Sequence, residues 1–219
     1  EHLIIDGLSK DDTLAVCEEY SHIATISSEK DKGIYDAMNR GIGLASGEVI
    51  GILNSDDLYE DDKVIEEVAK LFENPDVQAV YGDLIFVDEQ DLSKVTRVWK
   101  SGVQNKRKWL NGWMPPHPTF FVRKELYEKF GVFNLELKSA ADYELMLRFI
   151  YKEDVQVSYL PKVLVRMREG GQSTASLKNR LKANREDAMA WKINGLKKGL
   201  FTTYLKPLRK INQFFLSDK

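Results

Sequence analysis

The period of the hydrophobic positions changes part-way along the chain, and the change divides it. Leu3, Ile4 and Ile5 form a short apolar run ending at Asp6 and Gly7, which predicts a buried strand, with residues 9–13 as the turn into the helix that follows. Helical spacing follows over residues 13–20, a short strand over 23–26, a helix over 34–45 and a continuous apolar strand over 49–53. Residues 61–72 place Val64, Ile65, Val68, Leu71 and Phe72 on one helical face, and 77–81 reads as a strand. Strands alternating with helices of this length predict crossover units and a parallel sheet, with sites outside the strands' carboxyl ends. After Gly82 the pattern changes. Residues 84–87 and 96–99 read as antiparallel strands joined by a polar turn, and 106–118 as an irregular loop rich in Trp and Pro. Helices are predicted over 124–130 and 141–150, strands over 155–160 and 163–167, and a mostly helical, basic tail from 176 onward.

Composition sharpens this picture in three places. With 219 residues, 43% of them hydrophobic, the chain can bury a sizeable core without disulfides. The single cysteine, Cys17, excludes an intrachain disulfide framework and fits a reducing, cytoplasmic compartment. No apolar run approaches the roughly 18 residues a membrane-spanning helix needs. The formal net charge of −2 conceals a split: residues 1–159 carry 18 Lys and Arg against 30 Asp and Glu, a balance of −12, and residues 160–219 carry 14 against 4, a balance of +10. Basic charge spread over the body of the domain, as a nucleic-acid binder requires, is missing, which argues against that class. The expected organisation is a body over residues 1–170 and a basic helical extension over 171–219.

Within the extension, residues 178–210 interleave Lys178, Arg180, Lys182, Arg185, Lys192, Lys197, Lys198, Lys206, Arg209 and Lys210 with Trp191, Leu196, Leu200, Phe201, Tyr204 and Leu205. Such a helix can lie on an anionic membrane surface. It reads equally as a helix packed on the core or on a second subunit of a homodimer, with its cations in solvent.

The strand over residues 49–53 leads into Asn54-Ser55-Asp56-Asp57-Leu58-Tyr59. Two adjacent carboxylates at the carboxyl end of such a strand repel each other unless a cation lies nearby. Mg²⁺ or Mn²⁺ takes one or two carboxylates and completes its shell with water and substrate phosphates, so a diphosphate leaving group would find its Lewis acid here. The same residues also read as a turn that caps the following helix.

Five stretches together resemble the family 2 glycosyltransferases with the GT-A fold: EHLIIDGLSKDDT from Glu1, SEKDKGIYDAMN from Ser28, GEVIGILNSDDLY from Gly47, HPTFFVRKELYEKFGVFN from His117 and ADYELMLR from Ala141. They occur in the family's order and cover most of residues 1–168, and the run EKDKGIYDAMNRGI followed by LNSDD is most similar to bacterial enzymes that build O-antigen and other surface polysaccharides. The resemblance implies an α/β fold with a mixed sheet flanked by helices. It also implies inverting transfer of a sugar from a nucleotide-diphosphate donor, most often UDP-linked, with Mg²⁺ or Mn²⁺ bound.

On this resemblance Asp6 matches the aspartate that accepts a hydrogen bond from the nucleotide base, and Lys32 and Gly33 fall in the loop bordering that base. Asp56 matches the residue that reaches the ribose, and Asp57 the metal ligand. Asn54 stands where many members carry another Asp. Asp142 matches the catalytic base that takes the acceptor hydroxyl's proton, and Glu144 is the fallback. His117 is expected on the acceptor or diphosphate side of the cleft, and Trp109 and Trp113 as platforms for sugar faces. The acceptor is expected to be a saccharide or a polyprenyl-linked sugar, which places the enzyme at the inner face of the cell membrane through its basic extension. The family's first βα unit has no counterpart before Glu1, so a longer gene product is expected. Two other classes compete: a sugar nucleotidyltransferase, whose Gly-rich phosphate loop is not found in the sequence, and a degenerate domain that binds a glycan or partner without turnover, against which Asp56, Asp57 and Asp142 argue.

Overall fold

A computed structural model describes residues 1–170 and 177–199, together with residues 202 and 205. Strand β1 (His2–Asp6) leads through helix α1 (Thr13–Glu18) to β2 (Ile23–Ser28), and the two strands pair in parallel as a two-stranded sheet. Helix α2 (Ile34–Leu44) buries Met38 and Ile42 and lies close on β1, where Gly41 gives room to the Ile5 side chain. Arg40 of α2 donates to the backbone carbonyls of Asp6 (2.7 Å) and Glu29 (3.2 Å), which ties the carboxyl ends of β1 and β2 to the helix.

A second sheet of six strands holds most of the core. Its order is β3 (Val49–Ile50), β7 (Phe121–Arg123), β5 (Ala79–Val87), β8 (Val157–Arg168) and β4 (Leu58–Tyr59), with β6 (Val95–Trp99) paired to the second half of β5. The β5–β8 ladder is parallel and the other pairs are antiparallel, so this sheet is mixed. Helix α3 (Val64–Phe72) covers one side through Val64, Val68 and Phe72. On the other side lie α4 (Lys106–Leu110), α5 (Lys124–Phe130), α6 (Ala141–Met146) and the π-helical continuation Leu147–Lys152.

Three elements differ from the sequence expectation for physical reasons. The apolar run over residues 49–53 pairs only as Val49–Ile50, because its partner β7 is three residues long and is preceded by the Pro-bounded turn at His117–Thr119. The expected breaks at Gly82 and Pro161 do not end strands. Tyr81 faces Tyr159 and Asp83 faces Val163, so residues 160–162 bulge around Pro161, which has no N–H to give a ladder, while Gly82 admits the Leu164 side chain. The loop over 106–118 contains a helix, α4, whose first turn is capped by Asn105 accepting from the Lys108 N–H at 2.9 Å.

Helix α7 (Leu177–Ile193) is attached to the body. Trp191 is buried and its Nε1 donates to the Tyr143 hydroxyl at 2.8 Å, while Glu186 accepts from the Ser139 N–H at 2.6 Å, just before α6. Lys182, Arg185, Lys192, Lys197 and Lys198 are exposed. The side chains of Lys178 and Arg180, and residues Leu200, Phe201, Tyr204, Lys206, Arg209 and Lys210, lie outside the described residues. Among the described residues no helix is long and apolar enough to cross a membrane.

The bulge makes a quantitative demand. A β-carbon at residue 82 would collide with Leu164 and stand 2.9 Å from the Lys162 carbonyl oxygen. Gly82→Ala is expected to lower stability by about 1–3 kcal/mol, measured by urea unfolding with the m-value unchanged.

Candidate active site

The acidic pair sits on a turn fixed at both ends. On one side the Asp57 N–H donates to the Asn54 carbonyl at 3.1 Å, and on the other β4 pairs Leu58 and Tyr59 with Arg166 and Val165 of β8. Asp57 is 4% exposed and Asp56 is exposed. Asn54 Nδ2 donates to Asp57 Oδ2 at 3.0 Å, so Asn54 orients the carboxylate. Asp57 Oδ1 is buried and has no hydrogen-bond partner among the described residues; the Arg168 amide favours ionisation only from outside bonding geometry. Burial, with a smaller contribution from the Asp56 charge, pushes the Asp57 carboxyl up to about 6.

A buried carboxylate oxygen without a donor, beside a second carboxylate, is what a hard divalent cation would satisfy. The pair therefore fits Mg²⁺ or Mn²⁺ held by Asp57, with Asp56 beside it. Among the described residues no group of three or more His, Cys, Asp or Glu side chains forms a closed cage, so any such ion would keep several positions for water and phosphate oxygens.

The second acidic centre is built from three elements. Asp142 stands in the first turn of α6. Tyr35, in the first turn of α2, donates its hydroxyl to Asp142 Oδ1 at 3.1 Å, and His117 Nδ1 lies 3.4 Å from Asp142 Oδ2. His117 opens the turn at His117–Thr119, which is locked by buried Thr119: its hydroxyl lies within hydrogen-bond reach of the carbonyls of Pro116 (2.9 Å) and Gly82 (3.2 Å). The Tyr35 ring stacks on Phe133, with centroids 5.5 Å apart. Asp142 and His117 line a cavity of about 20 Å³ with Met38, Ile52, Phe133 and Met146, room for one water or one hydroxyl group. Tyr35 was not singled out in the sequence, although it lies within the stretch SEKDKGIYDAMN two residues after Gly33.

Asp6 ends β1 with its carboxylate saturated. It accepts from the N–H groups of Leu8 and Ser9 (3.0 Å each), from the Ser9 hydroxyl and from the Ser28 hydroxyl at 2.6 Å. The Ser28 and Ser9 hydroxyls, chiefly, hold its carboxyl down to about 2. Asp6 thus fixes the turn over residues 7–9 and joins it to the end of β2. The loop carrying Lys32 and Gly33 lies against this turn, since Asp31 occupies the space a Gly7 side chain would need. Asp31 accepts from the Gly33 N–H and Asp36 from the Lys32 N–H, each at 2.9 Å, and the Lys32 side chain is exposed. Gly33 adopts φ of 124°, a conformation side chains disfavour.

Three expected site residues are elsewhere. Glu144 is 2% exposed and forms a two-point ion pair with Arg148 (3.0 Å to each oxygen) while accepting from Asn194 at 2.9 Å. Arg148 in turn donates to the carbonyls of Phe130, Gly131 and Val132, so Glu144 anchors α6 to the end of α5 and is not available as a base. Trp113 is buried, donates from Nε1 to the Ser101 carbonyl at 2.9 Å, and packs edge-on against Trp109 and Tyr81. Trp109 is fully buried. Neither ring presents a face on which a sugar can stack.

Comparison with known proteins bears on what this pair of acidic centres belongs to. Residues 1–131 match the family described as Glycosyl transferase family 2. The chain belongs to glycosyltransferase family 2. A PGL/p-HBAD biosynthesis glycosyltransferase of Mycobacterium bovis is 29% identical over 176 residues, covering 78% of this chain and 66% of the relative. An uncharacterized glycosyltransferase of Mycobacterium tuberculosis is 36% identical over 153 residues, covering 68% of this chain and 56% of the relative. This glycosyltransferase chain therefore spans about two thirds or less of these relatives. Among solved structures, S. aureus TarS 1–349 in complex with UDP-GlcNAc has a TM-score of 0.62 at 17% identity, covering 98% of this chain and 63% of that one. The mannosyltransferase PcManGT from Pyrobaculum calidifontis, in complex with GDP-Man and Mn²⁺, has a TM-score of 0.61 at 16% identity, covering 98% and 64%. These likenesses establish the GT-A fold.

The hydrogen bonds on Asp6 give this family 2 chain a pH signature. Because its folded carboxyl lies below the ordinary value of 3.8, its contribution is complete above about pH 4 and is lost as the pH falls toward 2. Asp6→Asn is expected to cost about 1–2 kcal/mol at pH 7, with the difference from wild type closing between pH 4 and pH 2 in urea titrations.

Proposed function

We propose that this chain forms the donor-binding and catalytic part of an inverting glycosyltransferase. It moves a sugar from a nucleotide-diphosphate donor, a UDP-sugar in the first instance, to a saccharide or lipid-linked acceptor in surface polysaccharide assembly. The observation that carries the reading is the placement of Asp142: a carboxylate that accepts from the Tyr35 hydroxyl and lies beside His117, with a cavity next to it that takes one hydroxyl group.

The chemistry follows from that placement. The acceptor hydroxyl oxygen attacks the anomeric carbon as the bond from that carbon to the donor's diphosphate breaks, and the electron pair leaves with the nucleoside diphosphate. Asp142 takes the acceptor's proton as its hydroxyl attacks. Asp57 would hold a divalent ion, with Asp56 beside it, and that ion would supply charge neutralisation for the departing diphosphate. Asp6, by holding the turn over residues 7–9, supports a base pocket completed by Gly33 and Lys32. The UDP and GDP complexes of TarS 1–349 and PcManGT, and the Mn²⁺ of the latter, favour a nucleotide-sugar donor with a divalent metal.

The basic extension gives the body a second address. The exposed cations of α7 and the residues after it accompany exposed Met189 and Ile193, and this face would rest on an anionic membrane surface beside a lipid-linked acceptor. Trp191, buried in the core, takes no part in that contact.

Turnover of a panel of UDP- and GDP-sugars with Mn²⁺ tests the enzymatic reading. Asp142→Asn is expected to lower kcat by about 10²–10⁴-fold with donor affinity retained, and Asp57→Asn to abolish the Mn²⁺-dependent part of UDP binding in calorimetry. Glu144→Gln is expected to lower the melting temperature while leaving turnover per folded molecule unchanged. Unaltered turnover in both aspartate variants would remove the mechanism.

A further inference from the structure

Tyr35 is a half-buried group beside Asp142 that the chemistry above leaves without a task. Its hydroxyl donates to Asp142 Oδ1 at 3.1 Å, while His117 Nδ1 approaches Oδ2 at 3.4 Å. A carboxylate free to rotate about its Cβ–Cγ bond presents either oxygen in many directions; one tied at Oδ1 by a donor and flanked at Oδ2 by an imidazole is confined to fewer. The ring is held too, stacked on Phe133, whose backbone is itself clamped by Asn39 of the same helix: the Phe133 N–H donates to Asn39 Oδ1 and Asn39 Nδ2 donates to the Phe133 carbonyl, both at 2.9 Å. The hydroxyl is therefore set on the base by α2 and by the segment that precedes α6, two pieces of the chain about a hundred residues apart.

We propose that Tyr35 is the positioning residue of the reaction, fixing the Asp142 carboxylate so that its free lone pair faces the incoming hydroxyl. The proposal rests on the reading of Asp142 as the base. Burial, then the Asp142 charge, push the Tyr35 hydroxyl far above its ordinary range, so it stays a donor across the working pH range. The groups facing this centre are Tyr35 from α2, His117 from the turn before β7 and Tyr127 from α5, with Glu186 of α7 acting electrostatically on Tyr35.

The test is Tyr35→Phe, which deletes one oxygen and leaves the ring on Phe133. Transfer is measured with the best donor and Mn²⁺ as a function of pH. The expected result is a fall in kcat of about tenfold with the donor KM unchanged. The double variant Tyr35→Phe/Asp142→Asn is expected to be no slower than Asp142→Asn alone. An unchanged kcat in Tyr35→Phe, a donor KM that rises with the fall in kcat, or losses that multiply in the double variant, would overturn the positioning role. If Asp142→Asn itself turns over at the wild-type rate, it is the base assignment that fails, and the two failures are told apart by that single control. A thermal melt within a few degrees of wild type accompanies the kinetics; should Tyr35→Phe unfold, Phe133→Leu, which removes the ring that Tyr35 stacks on and keeps the hydroxyl, is expected to lower kcat with the donor KM unchanged, and an unchanged kcat there would overturn the proposal.

Discussion

The parallel ladder between β5 and β8 is the constraint on which both acidic centres depend. It pairs Ala79 with Val157 at one end and Val87 with Arg168 at the other, and it survives the bulge at Pro161 only because Gly82 leaves room for Leu164. From β8 the sheet extends to β4, which holds the turn bearing Asp56 and Asp57. From β5 it extends to β7, and the Gly82 carbonyl lies within reach of the Thr119 hydroxyl, which locks the turn bearing His117. A site assembled from distant segments can be accurate when each segment is pinned to one rigid element.

The two acidic centres are given opposite environments. Asp57 is buried with one oxygen lacking a donor, so its charge is costly until something cationic arrives. Asp142 is half-buried with the Tyr35 hydroxyl donating to one oxygen and an imidazole near the other, an arrangement that restricts its direction. Carboxylates set apart in this way divide naturally between binding a cation and moving a proton. Asp6 belongs to neither class. Its lone pairs are committed to the chain, and its work is to shape the turn beside Gly33.

Much of this was legible in the sequence, and the residues explain the limits. Periodicity located β1, α2, α3 and α5 because each has a clean apolar stripe or run. It split β5 and β8, since Gly and Pro punctuate a chain locally, whereas the bulge that keeps both strands whole is a cross-strand match between Gly82 and residues 160–162. The Asp56–Asp57 turn, Asp142 and His117 were marked by their motif context. Glu144 was not separable from Asp142 by sequence, because what decides between them is Arg148 four residues on and Asn194 fifty residues on. The indoles of Trp109 and Trp113 likewise turned inward to satisfy burial and the Ser101 carbonyl. Tyr35 carried no signal of its own: its partner is 107 residues away and the contact exists only after folding.

The central claim is that one carboxylate, Asp142, promotes a single displacement at the anomeric carbon. Proton NMR of the first-formed product, read from the coupling of its anomeric proton, tests it most directly. The account predicts that the new linkage has the anomeric configuration opposite to that of the donor sugar. A product that retains the donor's configuration would contradict it.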